Sequence, residues 1–190
     1  MRLKIKAIVT SIGEPTTELC VWSLERNGFK VKLIENPGTT LAEKLKLIYA
    51  TTDENFLRVD ADVIVNKNCT PNAIRALHQD ENIWWQQFLT YDWFKQDLTW
   101  GGVQYIKKQV LPILNANIDK FLTAERPESQ MYRLDEFDNP RRCVGVDICM
   151  GLHGYGIKNI KRVIETKQRR NQFYDYDFEL AEKLNKLGEQ

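Results

Sequence analysis

The chain has 190 residues, of which 43% are hydrophobic and 28% charged, and a formal net charge of +1. That length carries one domain with a real core, and that composition excludes a disordered or low-complexity chain. The balanced charge gives no electrostatic case for nucleic acid, and the four cysteines (Cys20, Cys69, Cys143, Cys149), with no Cys-x-x-Cys spacing, read as reduced thiols and not as a zinc site or disulfide frame.

Residues 1–6 alternate like a strand and lack the apolar run of a signal peptide. No segment approaches the length of a membrane span. A soluble cytoplasmic protein is the expectation, with peripheral attachment to a membrane as the variant.

Taken in order, residues 4–12 predict a first strand, with Ile5, Ala7, Ile8 and Val9 apolar. It runs into a polar loop, Thr10-Ser11-Ile12-Gly13-Glu14-Pro15. Pro15 suits a helix start, where its missing N–H costs nothing, and the helix runs to about Arg26. Asn27-Gly28 stops it. Residues 29–34 alternate as a second strand ending at Glu35. Thr40-x-x-Glu43 is a capping box, and Leu41, Leu45 and Ile48 repeat at helical spacing. Residues 55–65 then form an apolar run interrupted by Asp60 and Asp62.

A buried strand has no use for two unpaired acids in its middle, because each charge is costly to desolvate. They therefore mark the carboxyl end of a strand, where an open α/β sheet places its ligands. Strand alternation sends residues two apart to one face, so both acids can reach one hard cation. Oxygen ligands suit Mg²⁺ or Mn²⁺ carrying a diphosphate. The plain alternative is a solvated turn, which a lone Asp-x-Asp matches often.

Strand, helix, strand, helix, strand with short loops is the pattern of a doubly wound α/β half built on a parallel sheet. Neither a Gly-x-Gly-x-x-Gly nor a P-loop motif is present, which disfavours a dinucleotide fold and a P-loop enzyme. Downstream, Thr70-Pro71 opens a short helix to about His78, which reads as an exposed, inert histidine. Residues 83–89 predict a strand, 93–100 a loop and 103–111 a helix start. Residues 143–152 predict a late strand running into a loop at His153-Gly154. A basic helix over 158–166 and an amphipathic helix over 177–187 close the chain. The basic helix offers cations to phosphate or to a membrane surface, although a solvated face is the commoner use.

The order of these features resembles a GT-A-fold glycosyltransferase, closest to the family-2 type, over nearly the whole chain. Four landmarks carry the resemblance: Val59-Asp60-Ala61-Asp62 after two strand–helix units; Trp100-Gly101-Gly102-Val103, similar to the family's Gly-Gly loop leading into a helix; Glu128 at a helix start, where the family has an acidic pair; and His153 in a glycine-containing loop. The implied fold is α/β: a GT-A-like doubly wound Rossmann-type sheet in a single domain over 1–190. Residues 1–66 would be the nucleotide-binding half. Residues 67–190 would be a mixed acceptor half with C-terminal helices.

The implied function is metal-dependent transfer of a sugar from a UDP- or GDP-sugar to an acceptor hydroxyl. Asp60, Asp62 and His153 would hold Mn²⁺ or Mg²⁺ on the diphosphate. Thr10, Ser11, Glu14 and Glu35 would bind base and ribose, and Lys44 phosphate or base. Gly101 and Gly102 would let backbone approach the donor. Trp93 and Trp100, predicted in loop context, would line the acceptor cleft, while Trp84 and Trp85 pack the core. Glu128 is the candidate general base of an inverting, hexosyltransferase-like enzyme, with Asp62 beside the reacting diphosphate. The chain reads Pro-Glu-Ser at 127–129 where the family has Glu-Asp, and a retaining enzyme needs no such base. The acceptor class (glycan, lipid, protein or nucleic acid) is not specified. Two other readings are a nucleotidyltransferase acting on a sugar phosphate and a non-catalytic nucleotide-sugar-binding module.

Overall fold

The structure, a computed structural model, describes residues 5–36, 38–77, 81–93, 95–119 and 143–155. Strand β1 (Lys6–Ser11) leads to helix α1 (Thr17–Arg26), β2 (Lys30–Glu35), α2 (Leu41–Thr51) and β3 (Phe56–Asp60). These follow the predicted order. The capping box at α2 forms as read: the Thr40 hydroxyl accepts from the Glu43 N–H at 3.2 Å, and the Glu43 carboxylate accepts from the Thr40 N–H at 2.7 Å. After β3 come β4 (Val63–Val65), α3 (Pro71–Leu77), β5 (Trp85–Asp92), β6 (Asp97–Ile106), a 3-10 turn over Lys108–Val110, α4 (Leu111–Ala116) and β7 (Cys143–His153).

The seven strands form one sheet in the order β2-β1-β3-β6-β5-β7-β4. β1 runs parallel to both β2 and β3, whereas β6 is antiparallel to its neighbours β3 and β5. Strand alternation sends apolar side chains to both faces. On one face Ala7, Val9, Leu57, Val59 and Val103 pack with Cys20 and Leu24 of α1 and Ile74 of α3. On the other, Ile8, Phe56, Trp85 and Ile106 pack with Leu45, Ile48 and Tyr49 of α2 and Leu111 and Leu114 of α4. The sheet is thus doubly wound, as predicted, and Trp85 is core.

Only Ala61 and Asp62 separate β3 from β4, which limits the Cα gap between Asp60 and Val63 to roughly 11 Å. Three strands lie between β3 and β4 in the sheet, a flat separation of roughly 19 Å. The sheet must therefore curl, bringing its far edge back towards β3. The seam where the curl nearly closes is the Ala61–Asp62 turn.

Three expectations are corrected. Asp62 is not placed by strand alternation: β3 ends at Asp60, and Asp62 belongs to the turn before β4. Residues 97–106 are a strand, so Trp100, Gly101 and Gly102 lie within β6 and not in a loop before a helix; helix begins only at the 3-10 turn. His153 is the last residue of β7, paired with Val63 across the sheet, and not a loop residue. The misreading of β6 has a local cause. Gly101-Gly102 is a bulge, where the β5 register jumps from Gln87↔Gln104 to Leu89↔Trp100, and glycines inside a strand run read easily as a break. His78, Glu128 and the helices predicted over 158–166 and 177–187 lie outside the described residues.

Candidate functional site

The site is assembled at the carboxyl ends of β1, β2 and β3, where a doubly wound sheet offers its crevice. The loop after β1 is built by Ser11. Its hydroxyl lies 2.8 Å from Glu14 Oε2, 2.8 Å from the Thr17 hydroxyl and 3.3 Å from Glu35 Oε1, and accepts the Gly13 N–H at 2.9 Å. Glu14 folds back to accept the Ile12 N–H at 2.7 Å. The Lys44 ammonium, on a buried side chain of α2, donates to the Ser11 carbonyl. Burial pulls the Lys44 pKa down, while Glu14 and Glu35 oppose that pull. Ser11, Glu14, Glu35 and Lys44, four of the predicted nucleoside-binding residues, thus converge on one loop. Beside them opens a cleft of about 530 Å³ lined by Gly13, Glu14, Thr17, Trp22, Leu33 and Glu35. Its size falls within the range of small-molecule sites.

The first loop also fixes the aspartate turn. The Ala61 N–H donates to the Thr10 carbonyl at 3.1 Å, and the Thr16 hydroxyl donates to the Ala61 carbonyl at 2.9 Å. The loop after β1 and the aspartate turn are therefore one hydrogen-bonded unit. Within it the two aspartates have different partners. Asp60 is paired with the guanidinium of Arg58, two residues back on the same strand face, and accepts the Thr10 hydroxyl at 3.3 Å. Arg58, almost fully buried, also donates to Gln104 Oε1 at 2.6 Å.

Asp62 faces His153. Its Oδ2 stands 3.3 Å from His153 Nε2, and the Gly154 N–H donates to the Asp62 carbonyl at 3.0 Å. On the other side of the imidazole, Asp92 Oδ2 stands 3.2 Å from Nδ1. Burial pulls the His153 pKa down, but the Asp62 and Asp92 carboxylates outweigh it and hold the imidazole well above its ordinary value. Burial likewise raises Asp62, and the imidazolium beside it outweighs that and leaves its pKa lowered. The two carboxylates thus favour the charged form of the histidine between them.

The donor set can be tested against a divalent ion. Among the described residues no three His, Cys, Asp or Glu side chains converge as a ready cage, because Asp62 and Asp92 sit on opposite sides of the ring. Two ligands cis on an ion at ~2.1 Å stand roughly 3 Å apart. The 3.3 Å between Asp62 Oδ2 and His153 Nε2 fits such an edge, with the imidazole giving up its Nε2 proton. The spacing of Asp62 and His153 is thus one that a shared divalent ion would fit. Asp60, the other predicted ligand, is engaged through Oδ1 by Arg58 and Thr10.

The glycines and tryptophans lie around this cluster. A Cβ on Gly102, whose φ is +73°, would stand 2.5 Å from Val63 Cγ2 and 3.6 Å from the His153 ring. Gly102 is therefore small so that β6 can pack against the aspartate turn, and its space is filled by protein. Gly101 has open space where its Cβ would be. Trp93 follows β5 directly. Its N–H donates to the His153 carbonyl at 2.9 Å, and its ring meets Tyr155 edge-on at 5.2 Å, so it stands at the rim of the site. Trp100 is half exposed, and its six-membered ring lies over Gly145 of β7. Asp92 was not foreseen. In sequence it is one acid in Tyr-Asp-Trp, and only the β5–β7 pairing of Asp92 with His153 gives it a role.

No protein-family model matches the sequence, and no curated protein does. Among solved structures the chain is similar to a glycosyltransferase involved in the glycosylation of the major capsid of PBCV-1. The TM-score is 0.54, with 17% identity over 87% of this chain and 99% of that one. Two further likenesses score lower. One is to 4-diphosphocytidyl-2C-methyl-D-erythritol synthase from Anaerococcus prevotii (TM-score 0.49, 14% identity, 88% of this chain and 96% of that one). The other is to CTP:phosphocholine cytidylyltransferase from Streptococcus pneumoniae (0.49, 14%, 86% and 99%). The fold is GT-A-like, as the first of these shows. Among the described residues no helix is long and apolar enough to cross a membrane.

Proposed function

We propose that this chain binds a nucleoside-diphosphate sugar at the carboxyl ends of β1 to β3 and transfers the sugar to an acceptor hydroxyl. The observation that carries the proposal is the hydrogen-bonded union of the Ser11–Glu14–Glu35 loop with the Asp60–Asp62 turn, closed by His153 at the end of β7. A nucleoside pocket and a cation-binding edge side by side suit a donor whose base lies at one end and diphosphate at the other.

Each residue then has a task. Glu14 and Glu35 offer carboxylate acceptors to base N–H and ribose O–H groups, held in place by Ser11 and Thr17. Lys44 fixes the loop from beneath through the Ser11 carbonyl, a structural part in place of phosphate contact. Asp62 and His153 would hold Mn²⁺ or Mg²⁺, with Asp60 as the third candidate ligand. That ion, when bound, neutralises charge on the leaving diphosphate. Trp93 gives the sugar or acceptor an apolar ring face at the rim, and the exposed part of Trp100 a second. The anomeric carbon–diphosphate oxygen bond breaks, a bond to the acceptor oxygen forms, and the acceptor proton passes to a base, for which Glu128 is the candidate. The donor is a UDP- or GDP-sugar, and the acceptor a glycan, lipid, protein or nucleic acid.

The test is a thermal-shift screen of UDP, GDP and their sugars with and without Mn²⁺, followed by product analysis. A ligand at one hundred times its Kd stabilises the fold by about 2.7 kcal/mol. Donor and Mn²⁺ should raise the melting temperature together in the wild type and lose most of that rise in Asp62→Ala. Release of nucleoside diphosphate supports glycosyl transfer. Release of pyrophosphate from a nucleoside triphosphate and a sugar phosphate replaces it with nucleotidyl transfer. A stabilising donor with no turnover leaves a binding module. A full donor shift in Asp62→Ala with chelator present refutes the ion site.

A further inference from the structure

Asp92 is a buried carboxylate at the last position of β5, where a desolvated charge is costly unless it is bonded. Both its oxygens are used. Oδ1 accepts the Lys95 N–H at 3.1 Å, and Oδ2 lies 3.2 Å from His153 Nδ1. Its own carbonyl accepts the Gln96 N–H at 2.9 Å. The carboxylate is thereby pinned to a turn before it meets the histidine. The histidine is pinned in turn by its backbone, through the Trp93 N–H on its carbonyl at 2.9 Å and by β7 pairing with Val63. The imidazole has little freedom to rotate, and its two nitrogens point to two different acids.

We infer that Asp92 is the positioning residue of the ion site, holding the proton of His153 on Nδ1 so that Nε2 presents its lone pair beside Asp62. The inference rests on the reading of Asp62 and His153 as ion ligands. A carboxylate on the far nitrogen of a ligating imidazole fixes its tautomer and raises its basicity, and losing it typically weakens metal binding 10–100-fold. The same carboxylate explains how one histidine serves a site that lacks a three-acid cage: its charge faces the ion through the ring. A purely structural account makes Asp92 no more than the cap of the 92–96 turn, and the two accounts predict different behaviour.

The chain has two histidines, so His78→Gln leaves His153 as the sole imidazole. In that background, titration with Mn²⁺ alone gives the metal affinity, and Mn²⁺ should broaden the imidazole resonances beyond detection. Asp92→Asn keeps the shape and an acceptor for the Lys95 N–H but removes the charge. Asp92→Asn should bind Mn²⁺ about 10–100-fold more weakly, while its thermal melt reports that the fold is kept. Unchanged Mn²⁺ affinity in folded Asp92→Asn overturns the inference while leaving the ion site intact. Absence of both binding and broadening in the parent overturns the ion site itself, and the inference with it. A second measurement does not depend on the variant folding. With diamagnetic Mg²⁺ on the parent, the imidazole ¹⁵N pattern should place the proton on Nδ1. A proton on Nε2 overturns the inference.

Discussion

Gly102 shows how much a single atom decides at this site. A methyl group there would stand 2.5 Å from Val63 Cγ2, and the positive φ of +73° disfavours any side chain. Val63 follows Asp62 directly and pairs with His153, so the displaced valine would move the candidate ligands too. Gly102→Ala should destabilise the fold by about 2 kcal/mol, read as the shift in denaturant midpoint. It should also weaken Mn²⁺ binding, although Gly102 touches no ligand atom. Wild-type stability in Gly102→Ala would show that β6 can move aside. Asp60 and Asp62 show the complementary point: identical side chains two residues apart acquire different partners, one an arginine and the other a histidine. The Asp-x-Asp pattern was legible in sequence, but its division of labour was not. Nothing in the spacing of 58, 60, 62, 92 and 153 says which acid meets which base.

Among the elements, α2 is the one whose local sequence most fully specifies its structure. Thr40 and Glu43 cap it reciprocally, and Leu45 and Ile48 bury its inner face. Replacing the cap, Thr40→Ala, should cost about 1 kcal/mol, measured by denaturant unfolding at neutral pH. Hydrogen bonds from Thr40, first from its backbone and then from its side chain, lower the Glu43 pKa below its ordinary 4.5. A carboxylate lowered in the folded state stabilises it above the unfolded value and loses that contribution as pH falls through the folded value. The stability difference between wild type and Glu43→Gln should therefore be full above about pH 4.5 and shrink in stronger acid. A gap that widened in acid would contradict the sign. By contrast, β6 was misread over 97–106 because Gly101-Gly102 carries both a turn signal and a bulge signal. The bulge wins because β5 and β3 flank the strand and take up its backbone hydrogen bonds.

At the scale of the molecule, the curl of the sheet joins residues from β3, β5 and β7 at one seam, and its two faces bury two separate cores. Cys20 and Cys69 lie in the core beneath the aspartate turn. Burial, with Asp62 and Asp60 adding to it, pushes the Cys20 thiol far above its ordinary value, and burial pushes Cys69 up to about 12. Thiolate is the reactive form. At pH 8 an aromatic disulfide reagent should therefore leave both unmodified in the folded protein, with peptide mapping showing the half-buried Cys149 modified ahead of them. Denaturant should release all of them. Labelling of Cys20 as fast as Cys149 would mean that the seam opens.

The sequence by itself determined the βαβαβ half, its order and helix ends, because those depend on apolar periodicity, caps and stops within a few residues. It also marked Thr10, Ser11, Glu14 and Glu35 as strand-end residues, and that placement stands because parallel strands present their carboxyl ends together. The tertiary structure alone decided three things: that β4 returns to the far edge of the sheet, that His153 ends a strand beside Asp62, and that Asp92 stands behind it. Each depends on pairing between strands distant in the chain. The free energy of that pairing comes from burying both faces of a curled sheet, a property of the assembled layers and not of any local run of residues.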